Sequence, residues 1–237
     1  GLAAQLQSLG ARAGVAVCDS ADPTDSRSLL WLCRAPTGVL HAAGVLRDKG
    51  MQAMASNDVG YVGAPKATAT SHLHRATVRM PIEALALFSS VTSTLGNWGQ
   101  ANYAAANAYL DAAACSRALA GLVGFSLQIP AVSGAGMGAT SLSAERLESI
   151  GAISLDAYAS YLSCTLLLGA PAMERTQAAL PRTLLESIPN ATLLSELQPS
   201  TGNGLEGVTS RRAGNEFMQA LAALPAARQR SEAEMLV

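Results

Sequence analysis

The chain has 237 residues, of which 49% are hydrophobic and 14% charged, with a formal net charge of −1. That length and apolar content can bury a real core, as one large or two small domains, and exclude a disordered chain. The near-neutral charge leaves no basic face for nucleic acid, and no run approaches the roughly eighteen unbroken apolar residues of a membrane span.

Residues 2–9 read as a helix closed by Gly10, and residues 14–19 as a strand, Gly14-Val15-Ala16-Val17-Cys18, that ends in the acid Asp19. A helical stretch over 25–34 follows, for which Asp19, Asp22 or Thr24 could serve as N-cap. Residues 38–44 then read as a strand that finishes in Ala42-Ala43-Gly44. Small residues at a strand's end let a nucleotide come close to the backbone. His41, inside that strand, reads as a packed side chain and not as a catalytic base. His72 and His74 lie on a helix with Lys66 and have no evident partner; a lysine standing alone reads as a solvated surface charge.

The centre of the chain is more specific. Ala84-Leu85-Ala86-Leu87-Phe88 is a continuous apolar run of the kind a strand buried on both faces shows. It stops at Ser89-Ser90, where a parallel strand delivers side chains to the ligand-binding edge of a sheet. A loop over 92–100 carries Gly96 and Gly99, and an alanine-rich helix pattern runs from 101 to 118. Tyr103 and Asn107, four apart, share one face of that helix. Singly, these are turn serines and ordinary helical polar residues. Together, Phe88-Ser89-Ser90-Val91 and Gly99-Gln100-Ala101-Asn102-Tyr103-Ala104-Ala105-Ala106-Asn107-Ala108-Tyr109-Leu110-Asp111 resemble the active-site block of ketoreductase domains in modular and iterative type I polyketide synthases. Those domains belong to the short-chain dehydrogenase/reductase superfamily, and Ser90 stands thirteen positions before Tyr103, the spacing that family uses.

The resemblance implies an α/β fold, a Rossmann-like doubly wound parallel sheet of the short-chain dehydrogenase/reductase type. It implies a catalytic set of Tyr103, Ser90, Lys66 and Asn107, with asparagine in the place most of the superfamily gives to lysine and the lysine on the preceding helix, where Ala64-Pro65-Lys66 and Leu73-His74 match. The implied cofactor is NADPH, contacted by Asp19, Ser20, Ala42, Ala43, Gly44, Lys66, Tyr103 and Pro130, with Asp19 facing the adenine. Leu46-Arg47-Asp48 stands where one stereochemical class carries Leu-Asp-Asp. Leu95 stands where the other class carries tryptophan, and Trp98 is not that marker. Asp48 and Leu95 together imply a D-configured β-hydroxyl. The implied substrate is a β-keto thioester on an acyl carrier protein, and the implied partners are the other domains of the same synthase. The expected compartment is the cytoplasm, or a plastid if a targeting segment precedes.

Residues 121–128 read as a further strand, followed by Ile129-Pro130-Ala131-Val132 where the family usually has a tryptophan-glycine pair. The glycines of 133–139 suit a hinge, and residues 143–150 and 155–168 read as amphipathic helices over the site. Residues 1–188 are thus expected to be a partial ketoreductase domain without its first strands and glycine-rich turn, and the isolated chain is expected to bind NADPH very weakly or not at all. The strand at 14–19 should pair with the strand at 38–44 or lie loosely at the edge. Residues 189–208 read as a linker and 209–237 as the start of an acyl carrier domain. Cys18, Cys33, Cys115 and Cys164 lack metal-ligand spacing, so no metal is expected and buried free thiols in a reducing compartment are. Asn190-Ala191-Thr192 is a sequon by chance. Two further readings stay open: a free-standing short-chain dehydrogenase, and a structural portion of a synthase without catalysis of its own.

Overall fold

The computed structural model describes residues 2–34, 36–141, 143–167 and 176–177. The chain divides into two compact units, one of residues Gly1–Ala16 with Thr192–Val237 and one of Val17–Ala191. In the first, helix α1 (Leu2–Ser8) ends where Gly10 turns to φ +85, a left-handed conformation that suits glycine. The linker, the carrier-like tail and the sequon lie outside the described residues.

In the second unit, α2 (Pro23–Leu32) starts at Asp22, whose carboxylate accepts from the backbone of Thr24 at 2.7 Å and of Asp25 at 3.0 Å. Of the candidate caps, Asp22 therefore fills the role. After β1 (Gly38–His41) come a 3₁₀ turn (Met51–Ala53), α3 (Ser56–Gly63), a π turn (Ala64–Thr68) and α4 (Ala69–Thr77). Then follow β2 (Ala84–Ser90), α5 (Thr92–Leu95), α6 (Ala101–Leu119), β3 (Phe125–Ile129), α7 (Gly136–Ser141), α8 (Ala144–Ser149), α9 (Leu155–Leu167) and β4 (Thr176–Gln177). The four strands form one parallel sheet in chain order, with His41 opposite Leu87 and Ser90 opposite Ile129. Parallel neighbours joined by helices are βαβ units. No described helix is long and apolar enough to cross a membrane.

The continuous apolar run of β2 is explained by cover on both faces. Leu85 and Leu87 pack with Ile82 and with Leu110 and Ala114 of α6. Ala86, with Ala84 and Phe88, packs with Phe125 and Leu127 and with Leu162 and Leu166 of α9. Helices on both faces of a parallel sheet make the doubly wound, Rossmann-like arrangement expected from the sequence.

Four expectations change. Residues 14–19 form no strand: Val15 and Val17 are exposed at 87% and 105%, and β1 pairs only with β2 among the described residues. The alternating valines satisfy strand propensity, but a strand persists only with a neighbour to accept its hydrogen bonds. The strand expected over 38–44 leaves the ladder after His41. Helix α9 is not a cover over the site; its leucines close the second face of the sheet, and Tyr158 meets Phe88 edge to face at 6.3 Å. Cys18, Cys33 and Cys115 are free but not buried as expected: Cys33 is exposed and the other two are half-buried, while Cys164 falls outside the described side chains.

Candidate active site

The site is built at the carboxyl end of β2 and the first turns of α6. Ser89 donates its hydroxyl to the Asn107 carbonyl at 3.2 Å, and Ser90 Oγ accepts from the Thr92 amide at 3.3 Å. Both serines are buried. The start of α6 is fixed by Asn102, a residue that reading the sequence passed over. Its amide Nδ2 donates to the carbonyls of Arg47 at 2.9 Å and Asp58 at 3.2 Å, and its Oδ1 accepts from the Tyr103 backbone at 2.8 Å. Its one legible signal was a polar side chain at the second position of a helix.

Lys66 arrives from the long helical stretch that runs from α3 through the π turn into α4. Pro65 has no N–H to give to the preceding turn, so the regular ladder fails there and the helix widens, a feature frequent at functional sites. Lys66 is only 3% exposed, and its ammonium donates to the Phe88 carbonyl at 2.8 Å. It lies 5.4 Å from the centre of the Tyr103 ring. Gly44 makes room for it: a Cβ there would stand 2.9 Å from Lys66 Cε. Burial lowers the Lys66 ammonium from 10.5 to about 8, against the charge of Asp111, which raises it.

Tyr103 packs with Val62 and Ala106 and is buried to 9% exposure. Burial raises its hydroxyl above the ordinary tyrosine value; the side chains of Asn107 and Ser90 pull it down, and Asp48 adds to the rise. Asn107 is fully buried and donates Nδ2 to the Tyr103 carbonyl at 2.8 Å, one helical turn back. Its Oδ1 makes no hydrogen bond, so it is an acceptor without a donor. The four residues of the expected catalytic set, with Gly44, are thus brought together.

The Asp48 carboxylate accepts from Gln100 Nε2 at 2.8 Å, and Gln100 in turn accepts from Asn97 at 3.0 Å. Leu95 is half-buried at the end of α5. Asp19 is exposed and its Oδ1 accepts from the Ala21 amide at 2.9 Å, while the Ser20 carbonyl accepts from Ser26 Oγ at 2.9 Å. Those two residues shape the entry to α2. Pro130 is buried directly after β3. No hydrogen bond among the described residues joins Asp19, Ser20 or Pro130 to the catalytic set. His74, for which the sequence offered no partner, meets Arg117 Nη1 at 3.1 Å. An apolar cleft between β3 and α9, lined by Leu127, Ile129, Tyr158 and Leu162 among others, contains none of the catalytic four.

A nicotinamide dinucleotide fits one end of this arrangement. The Lys66 ammonium, which can donate further hydrogen bonds beside the Tyr103 ring, suits a ribose and nicotinamide. Residues 1–37 contain no G-x-G-x-x-G turn, so they offer no such seat for a pyrophosphate.

Comparison with known proteins agrees with this geometry. The family model described as "KR domain" matches residues 1–134. The chain is 43% identical over 129 residues to polyketide synthase GfsA of Streptomyces halstedii, covering 53% of this chain and 2% of that protein. It is 45% identical over 115 residues to spectinabilin polyketide synthase system protein NorA' of Streptomyces orinoci, covering 47% of this chain and 3% of that protein. Among solved structures it is similar to the first ketoreductase of the tylosin PKS, at 34% identity and a TM-score of 0.65, covering 72% of this chain and 38% of that one. It is also similar to an A1-type ketoreductase, at 28% identity and a TM-score of 0.71, covering 83% and 44%. The chain thus spans a small fraction of these synthases and under half of these ketoreductase structures. With the sheet, the Ser90–Tyr103 spacing and the family match in agreement, the chain belongs to the KR domain family, the ketoreductases of type I polyketide synthases on a short-chain dehydrogenase/reductase fold.

Proposed function

We propose that this chain takes part in NADPH-dependent reduction of a carrier-bound β-keto thioester to the β-hydroxy thioester within a type I polyketide synthase. The observation that carries the reading is the buried Lys66 ammonium, fixed by the Phe88 carbonyl and 5.4 Å from the Tyr103 ring. When bound, the reduced nicotinamide supplies the hydride. Tyr103, kept protonated by burial, donates its phenolic proton to the ketone oxygen as general acid. Lys66 places a positive charge beside the phenolate that results, and its ammonium can also hold ribose hydroxyls. Ser90 donates a hydrogen bond to the substrate oxygen as negative charge develops there. The free Oδ1 of Asn107 can accept from a water that returns a proton to Tyr103. The other domains of the synthase would be the partners, and the cytoplasm or a plastid the compartment.

Asp48, held by Gln100, and Leu95 in the place of a tryptophan support the D-configured product. The experiment supplies a carrier-bound β-keto thioester and NADPH to the polypeptide that carries this chain and separates the products by chiral chromatography. The expected result is a D-β-hydroxy thioester formed with stoichiometric NADPH oxidation. A mainly L product would reject the role of Asp48. A carrier-free ketone reduced far faster than the thioester would point instead to a free-standing dehydrogenase.

A further inference from the structure

One buried carboxylate in this fold is left unused by the mechanism. Asp111 lies on α6 one turn beyond Asn107, which itself lies one turn beyond Tyr103, so the three share a face. Its side chain is 8% exposed and is held by neutral donors from two other segments. Ser93 of α5 donates its hydroxyl to Oδ2 at 2.6 Å. From β3, Ser126 donates its hydroxyl to Oδ1 at 2.5 Å and Gln128 donates Nε2 to Oδ2 at 2.8 Å. Thr94, also of α5, reaches the Gln128 oxygen at 3.0 Å. Ser126 and Gln128 are two apart in β3 and so present the same face to α6.

A buried carboxylate is costly unless its lone pairs are occupied, and here they are occupied without an ion pair among the described residues. The three segments that meet at it are the loop that directly follows Ser90, the helix that bears Tyr103 and Asn107, and the strand beside β2. We propose that Asp111 is a positioning residue that fastens the loop after Ser90 to the helix bearing Tyr103 and Asn107. This rests on the catalytic reading of Tyr103 and Lys66 given above.

The carboxylate has a second effect through space. Its negative charge opposes the burial that lowers Lys66. The other groups that face Lys66 are His41 at the end of β1, held neutral by burial and by the Lys66 charge, and Tyr103. Strand β2 supplies only the Phe88 carbonyl, and its sequence Ala84-Leu85-Ala86-Leu87-Phe88-Ser89-Ser90 contains no ionisable acid or base of its own. Asp111→Asn preserves size and some hydrogen bonds but removes the charge, whereas Ser93→Ala removes one fastening bond and keeps the charge. The two variants therefore separate the two effects.

The test uses the full polypeptide that carries this chain and takes two readouts: the pH dependence of kcat and amide hydrogen exchange over residues 92–96, the latter needing no turnover. Asp111→Asn should move the alkaline limb of kcat down by about one pH unit. Ser93→Ala should speed exchange over 92–96 severalfold and leave that limb in place. Unchanged exchange in Ser93→Ala overturns the fastening, and an unmoved limb in a folded Asp111→Asn overturns the effect of its charge on Lys66; the exchange readout stands even if Asp111→Asn fails to fold. Tyr103→Phe, assayed alongside, separates the failures. An active Tyr103→Phe rejects the catalytic reading itself, and an inactive one beside unchanged exchange in Ser93→Ala rejects only the fastening role.

Discussion

Lys66 keeps its charge where burial works against it, and that opposition sets the pH behaviour of the site. Its ammonium loses its proton at about 8 in the folded chain, against 10.5 for an ordinary lysine. The proposed reaction needs the charged form beside Tyr103, so kcat should fall as pH rises through about 8. Stability should respond in the opposite sense. Between about 8 and 10.5 the unfolded chain binds the proton that the folded chain has released, so this group makes unfolding harder as pH rises through that window. A kcat profile and a thermal melt over pH 7 to 10 check both signs; activity that persists to about pH 10 would mean that the Lys66 charge is not used. None of this was legible from Lys66 alone, since burial depends on contacts far along the chain. Its neighbours in sequence and the Ser90–Tyr103 spacing identified it only through a family resemblance.

The helical stretch through α3 and α4 meets the loop after β1 at Gly44 and Lys66 as well as at Asp58, and the geometry of the first of these contacts is an element-scale property. Gly44 lets the Lys66 side chain pass to the Phe88 carbonyl; adding a Cβ would place it 2.9 Å from Cε. Lys66 cannot swing aside freely because it is enclosed. Gly44→Ala should therefore displace the ammonium and lower kcat by about 10- to 100-fold, while leaving the fold in place by circular dichroism. A variant with parent kcat would show that Lys66 has another path. At this scale the sequence was informative where a pattern sufficed: the apolar run of β2 and the alanine-rich helix with Tyr103 and Asn107 stand close to where they were expected. It misled where a pattern needs a partner. The valines at 15 and 17 alternate like a strand yet have no neighbouring ladder among the described residues, and the apolar residues of α9 could not declare which surface they cover. The π turn was also hidden, because Pro65 marks a break but not the wider winding that follows.

At the scale of the whole second unit, a parallel sheet in chain order brings the end of β2, the start of α6 and the π turn to one edge. Sites at that edge are the general rule for open α/β sheets. The proposed reaction puts proton donation on one atom, the Tyr103 hydroxyl, with every other member of the set in support of it. Replacing Tyr103 by phenylalanine removes that atom and little else, because the ring still fills the space between Val62 and Ala106. The most direct measurement is the kcat of Tyr103→Phe on a carrier-bound β-keto thioester, together with NADPH affinity, in the polypeptide that carries this chain. The account predicts a loss in kcat of at least about 100-fold with NADPH affinity largely retained; reduction at close to the parent rate would contradict it.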